Sequence, residues 1–255
     1  VSGLEFADHK VDLVTGTGRQ TGSSFKMLTL MAALEHGEIP ADTISGATPC
    51  VISDPNSVER VWDPKNVEGQ GGSIMTLTEA TVQSVNCAYA RLIKLVGPDK
   101  VVDVARRMGI KKADLQPLLA LTLGAIDVTP LEMATAYATL ANDGEYIEPY
   151  FIARIEDRDG KAIFNQSIKP ERAVSVQHAR TATQTLQQVV QRGTGTAAAI
   201  PRWQIAGKTG STDLNQDAWF VGVTPRLATA VWMGAPAGKG SMNNVGGLRV
   251  YGGTY

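Results

Sequence analysis

Helical periodicity fills most of residues 23 to 144, and alternating strand patterns fill most of the remainder. That order restricts the chain to an α+β fold. The segment TEATVQSVNCAYARLIKLVG (78–97) has a helical pattern closed by Gly97, and DKVVDVARRMGI (99–110) has a second. TPLEMATAYATLANDG (129–144) gives a third, with Pro130 near its first turn and Gly144 as its stop. Beyond it, YFIARIEDRDGKAIFNQ carries an Asp159-Gly160 turn between two alternating runs, the pattern of a hairpin. A long amphipathic helix is expected over QHARTATQTLQQVVQRG (177–193). The runs WQIAGKTGS, AWFVGVTP and ATAVWMGAP, split by turns, read as strands that neighbour one another antiparallel. The expected architecture is an antiparallel sheet flanked by helices plus an all-helical subdomain. It forms one domain over 1–255, helical over about 23–144 and β-rich over about 145–255.

Composition excludes several function classes. The 24 Lys and Arg against 25 Asp and Glu leave a net charge of −1, without the basic excess that a nucleic-acid footprint needs. No apolar run approaches the roughly 18 residues of a membrane span, and the first residues do not read as a signal peptide. Cys50 and Cys87 fit no metal spacing, and His9, His36 and His178 are scattered without a visible carboxylate or cysteine partner. No metal and no cofactor are expected. GTGRQTG and EGQGG are glycine-rich but lack the context of a phosphate or dinucleotide loop, so loop flexibility is the better reading.

Lys26 is harder to explain as structure. GRQTGSSFKMLTLMAAL (18–34) reads as a turn at Gly22 and Ser23 followed by a largely buried helix, with an ammonium in the first turn. An unpaired buried charge is costly. Ser23 and Lys26 are three apart, so on a helix they share a face. A serine hydroxyl needs a base to become a nucleophile, and a lysine serves if burial and nearby cations keep it partly neutral. The alternative is a lysine snorkelling from a helix end. Ser-x-x-Lys alone is a weak signal and occurs once.

Two further triplets sharpen it. Ser84-Val85-Asn86 begins or interrupts the second helical segment, and Lys208-Thr209-Gly210, followed by Ser211, sits on a strand. There the lysine and hydroxyls can face a cleft while glycine leaves room for substrate against the backbone. A second Ser-x-Asn, Ser241 to Asn243, lies in a glycine-rich loop after Lys-Thr-Gly and is set aside. Ser-x-x-Lys, Ser-x-Asn and Lys-Thr-Gly, in that order, resemble the signature of penicillin-binding proteins and serine β-lactamases. The longer strings RQTGSSFK, LTEATVQSVNCAYARL, TLGAIDVTPLEMATAYATLANDG, GTGTAAA and AGKTGSTDLNQDAWFVGVTP are similar to the transpeptidase domain of class A, bifunctional penicillin-binding proteins. The likeness covers nearly the whole chain.

The resemblance implies roles for the matching residues. Ser23 attacks the penultimate D-alanine carbonyl of a peptidoglycan stem peptide, with Lys26 as its base. Ser84 relays a proton to the departing D-alanine, and Asn86 binds the substrate amide. Lys208 supplies positive potential, and Thr209, Ser211 and the adjoining Gly210 and Thr212 form the carboxylate-binding strand. The backbone N–H groups of Ser23 and Ser211 form the oxyanion hole. The expected partners are stem peptides or their lipid-linked precursors, and β-lactams, which acylate the same serine.

The family pattern has one or two strands before the nucleophile's helix and a C-terminal helix beyond GGTY. Only 22 residues precede Ser23 here, which reads as a fragment of a larger protein. The glycosyltransferase domain and membrane anchor typical of class A are not among these residues, and the implied location is the cell envelope. Rival readings are a D-Ala-D-Ala carboxypeptidase, a β-lactamase, a penicillin-sensing receptor, or a catalytically silent scaffold. A class A β-lactamase needs a Glu-x-x-Leu-Asn element, and no such string occurs. An extracytoplasmic location further suggests a Cys50–Cys87 disulfide, which would tether a Pro-rich loop to the Ser84–Asn86 segment.

Overall fold

A computed structural model describes residues 12–67, 70–235 and 240–254 of the chain. His9, part of the EGQGG loop and Pro236 therefore lie outside the described residues. Helix α1 (Lys26–His36) runs through the centre, with every residue from Lys26 to Leu34 buried. A helix that is apolar on all sides belongs in a core, and neighbours surround this one. Helices α3 (Asn86–Val96), α4 (Pro98–Arg107) and α6 (Val176–Arg192) pack against it. Helix α5 (Pro130–Ala141) opens with a capping box. The Thr129 hydroxyl accepts from the Glu132 N–H, and the Glu132 carboxylate accepts from the Thr129 N–H. With Pro130 at the first helical position, this boundary falls where the sequence puts it.

Three antiparallel strands form the main sheet in the order β1 (Ala206–Ser211), β2 (Asp217–Thr224), β3 (Leu227–Gly234). Helices α5 and α6 cover one of its faces, where Trp219 is fully buried. The Asp159-Gly160 hairpin is present, with strands Arg154–Glu156 and Ala162–Asn165 and Gly160 at φ +79°. These elements confirm the α+β assignment.

One detail differs from the sequence reading, and a second settles an alternative that it left open. The nominally helical part contains short antiparallel ladders, Thr43–Ser45 with Ile74–Thr76 and Ile52–Ser53 with Val61–Trp62. Strands of two or three residues are too short to show alternation. The 78–97 segment is two helices, α2 (Leu77–Val82) and α3, separated at Ser84, which takes a left-handed φ of +60°. One hydrophobic cluster runs from Phe25 and Met27 through Leu92, Met133 and Leu186 to Trp219 and Val221, joining helices and sheet without a gap.

Candidate active site

Ser23 sits in a 3₁₀ turn, Gly22–Phe25, that leads directly into α1. Three hydrogen bonds hold the turn. Ser24 Oγ donates to Thr21 O at 2.8 Å, Tyr137 Oη of α5 donates to Ser24 O at 2.8 Å, and Trp219 Nε1 of β2 donates to Gln20 O at 2.8 Å. The turn also presses on β1. Gly22 has φ +54°, and a Cβ there would lie 2.4 Å from Ser211 O; one on Gly210 would lie 2.2 Å from Thr21 O. Gly210 therefore leaves room for the nucleophile's own turn, whereas the sequence reading assigned that room to substrate.

The antiparallel register sets what β1 offers the cleft. Thr212 N–H bonds Asp217 O, so Thr212 and Asp217 form a hydrogen-bonded pair, and the next pair, Ser211 and Ala218, does not. Ser211 N–H consequently points to the free edge of β1, the side where the Ser23 turn packs.

The two lysines meet at Ser84. Lys26 Nζ donates to Ser84 O at 2.7 Å and to Asn86 Oδ1 at 2.7 Å, with Ser84 Oγ at 3.3 Å. Lys208 Nζ donates to Ser84 Oγ at 2.8 Å and to Thr209 O at 3.3 Å. Both lysines are fully buried. Burial, and then the Lys208 charge, hold Lys26 well below the usual lysine range. Burial alone lowers Lys208 to about 7. No hydrogen bond among the described residues joins Ser23 Oγ to Lys26. A neutral Lys26 has two N–H bonds, and Ser84 O and Asn86 Oδ1 can accept both.

The left-handed backbone at Ser84 turns its hydroxyl in between the lysines, and α3 begins at once with Asn86, whose Nδ2 donates to Lys65 O at 2.8 Å. Cys50 and Cys87 are disulfide-bonded. The bridge ties the loop before Ile52 to the residue after Asn86, and Asn66 adds to the tie by accepting from Cys87 N–H at 2.9 Å. Ser23, Asn86, Ser211 and Thr212 line a cleft of about 420 Å³ together with Trp62 and Lys65. A cavity of similar volume between α5, α6 and the sheet holds none of the motif side chains.

The other β1 hydroxyls are differently engaged. Thr209 Oγ1 lies 2.7 Å from Thr194 Oγ1, and Ser211 Oγ accepts from Gly252 N–H at 2.9 Å. Thr212 Oγ1 donates to Asp217 Oδ2 at 2.9 Å, so its hydroxyl proton is already engaged. The discarded Ser241–Asn243 triplet has another job, since Asn243 Oδ1 accepts from Asn215 Nδ2 at the turn after β1. His36, read as partnerless, pairs with the nearby Glu38 carboxylate at 3.0 Å. Tyr137, Trp219 and Thr194 fall within strings that carry the family likeness but are given no role there, and Asn66 is not singled out; they act on backbone atoms or on other side chains.

A serine at a helix mouth, backed by two buried lysines that share a second serine, defines the class of active-serine proteins that react with penicillins. The chain belongs to the penicillin-binding protein transpeptidase domain family, whose model matches residues 12–244. It is similar to penicillin-binding protein 1A of Neisseria meningitidis serogroup A, with 35% identity over 262 residues, all of this chain and 32% of that protein. Penicillin-binding protein 1A of Aquifex aeolicus is 33% identical over 98% of this chain and 34% of its own length. The chain thus spans about a third of the length of the curated relatives it matches. Among solved structures, PonA1 of Mycobacterium tuberculosis in complex with penicillin V matches with a TM-score of 0.83 and 29% identity, over 96% of this chain and 67% of that one. Penicillin-binding protein 1A of Haemophilus influenzae matches at 0.83 and 30%, over 92% and 40%.

Proposed function

We propose that the chain is an acyl-serine D,D-transpeptidase domain that cross-links peptidoglycan stem peptides ending in D-Ala-D-Ala and is acylated by β-lactams. The observation that carries this reading is the Ser84 hydroxyl, 2.8 Å from Lys208 Nζ and 3.3 Å from Lys26 Nζ beside the Ser23 cleft. Neutral Lys26 takes the Ser23 proton while Oγ bonds to the penultimate carbonyl carbon. The oxyanion forms against the N–H groups of Ser23 and Ser211, the latter on the free edge of β1. Ser84 passes its proton to the nitrogen of the departing D-alanine as the C–N bond breaks, and is reprotonated from the lysines. An acceptor amine then attacks the ester, a new amide forms, and Ser23 recovers its proton. Asn86, already oriented by Lys65 O and Lys26, offers its amide to the stem peptide. Thr209 and Ser211, two apart and so on one face of β1, meet the terminal carboxylate.

We place the domain outside the cytoplasm, in the cell envelope. The Cys50–Cys87 bridge supports that placement, because such bonds persist in oxidising compartments. Among the described residues no helix is long and apolar enough to cross a membrane. The test is covalent labelling with a fluorescent penicillin, read on a denaturing gel. The wild-type chain takes the label and Ser23→Ala does not; label on Ser23→Ala would overturn the assignment.

A further inference from the structure

The string GTGTAAA contributes to the family likeness, but the proposed reaction gives it no task. In the structure its first residues form a loop after α6 that touches both halves of the site. Thr194 N–H donates to Val82 O at 3.2 Å, two residues before Ser84, and Gly195 N–H donates to Val189 O at 3.1 Å. A Cβ on Gly193 would lie 2.5 Å from Val82 O, and one on Gly253 would lie 2.8 Å from Thr194 O, so backbone holds the loop on two sides. Arg192 further pins the end of α6 to Glu79 of α2 at 2.8 Å. From this clamped loop the Thr194 hydroxyl reaches Thr209 Oγ1 at 2.7 Å.

We infer that Thr194 is a positioning residue that fixes the hydroxyl proton of Thr209 and so makes the site selective for donors with a free carboxylate. The inference rests on the carboxylate role proposed above for Thr209. Two hydroxyls at hydrogen-bond distance share one proton between them and have one to spare. When Thr194 donates, the spare proton is on Thr209 and can point at an anion. When Thr209 donates, it turns a lone pair outward instead. A bound carboxylate selects the first arrangement, Thr194 to Thr209 to carboxylate, in which each hydrogen bond strengthens the next. Thr209 is buried on the edge strand β1 and Thr194 is locked by its loop, so the pair is ordered before the ligand arrives.

The experiment compares second-order acylation rates for a fluorescent penicillin with its free carboxylate and for the methyl ester of the same penicillin. Thr194→Val keeps the shape of the side chain and removes the hydroxyl. It is expected to slow the free acid about fivefold, the weight of one neutral hydrogen bond, and to leave the ester rate unchanged. Thr194→Ser restores the donor and should recover the wild-type preference. Equal slowing of acid and ester, or an unchanged acid rate, overturns the inference. Thr209→Val separates it from the reading beneath it. If Thr209→Val loses the acid preference and Thr194→Val keeps it, only the role of Thr194 falls. If neither variant loses the preference, the carboxylate role of Thr209 falls as well.

Discussion

At the scale of single residues, the site is a pair of buried cations that the fold keeps from both being charged. Lys26 and Lys208 are among the largest fully buried side chains of the protein, and each is lowered chiefly by loss of water. The sign of their pH effect follows. In the proposed reaction Lys26 works as a neutral amine, so acylation is expected to rise as pH climbs through its lowered value. Lys208 supplies positive charge, which it gives up as pH climbs through about 7, so activity falls on the alkaline side. Lys208→Met removes the charge that helps hold Lys26 down. Its residual acylation should therefore show an acid limb displaced to higher pH; a limb left in place would refute the coupling. Lys208→Arg keeps a permanent charge and should extend activity into alkaline pH. Lys26→Ala should cost on the order of 10²–10⁴-fold in acylation rate, the range for losing a positioned base. Normal acylation by that variant would reassign the base.

At the scale of elements, the cleft depends on how short connecting segments are tied together. The loop carrying Cys50 and the start of α3 are joined by the disulfide, by Asn66 to Cys87 N–H, and by Asn86 to Lys65 O. The bridge closes a loop of 37 residues, which should stabilise the fold by about 4 kcal/mol in the chain-entropy model. Cys50→Ser with Cys87→Ser should lower the melting temperature and slow acylation through looser placement of Ser84 and Asn86. A double variant that melts and acylates like wild type would show the tether to be idle. Gly210→Ala tests a different tie, because its Cβ would collide with Thr21 O; it should lose more than about 2 kcal/mol of stability and most acylation, as read by chemical denaturation and labelling. Much of this was legible beforehand. Thr129, Pro130 and Glu132 announce α5, the alternating runs announce the sheet, and the three triplets announce Ser23, Lys26, Ser84, Asn86 and Lys208. The disulfide was legible only through the compartment that the family likeness implies. What stayed hidden depends on contacts far apart in sequence. Nothing near Tyr137 or Trp219 indicates that they hold the nucleophile's turn, and nothing near Gly210 says which backbone approaches it.

At the scale of the whole molecule, the site lies where the helical and β-rich parts meet, and the same core runs beneath both. Ser23 leads into α1, Ser84 and Asn86 come from the break between α2 and α3, and Lys208 comes from β1, so the chemistry requires the two parts to keep one relative position. Helix α6 packs on α1, α2, α5 and β1, and its Leu186 is fully buried in the shared cluster. We therefore predict that the chain unfolds as a single cooperative unit, as one domain should. Far-UV circular dichroism reports mainly the six helices among the described residues, whereas in a Trp62→Phe, Trp203→Phe background the remaining Trp219 and Trp232 report the sheet by fluorescence. Both probes should give one shared midpoint. Leu186→Ala opens a cavity in the common core and should cost roughly 2–5 kcal/mol, moving the two midpoints down together. If the fluorescence midpoint separates from the helical one, in wild type or in Leu186→Ala, the two parts are independent folding units. The active site would then owe its geometry to the contacts across the cleft rather than to a common core.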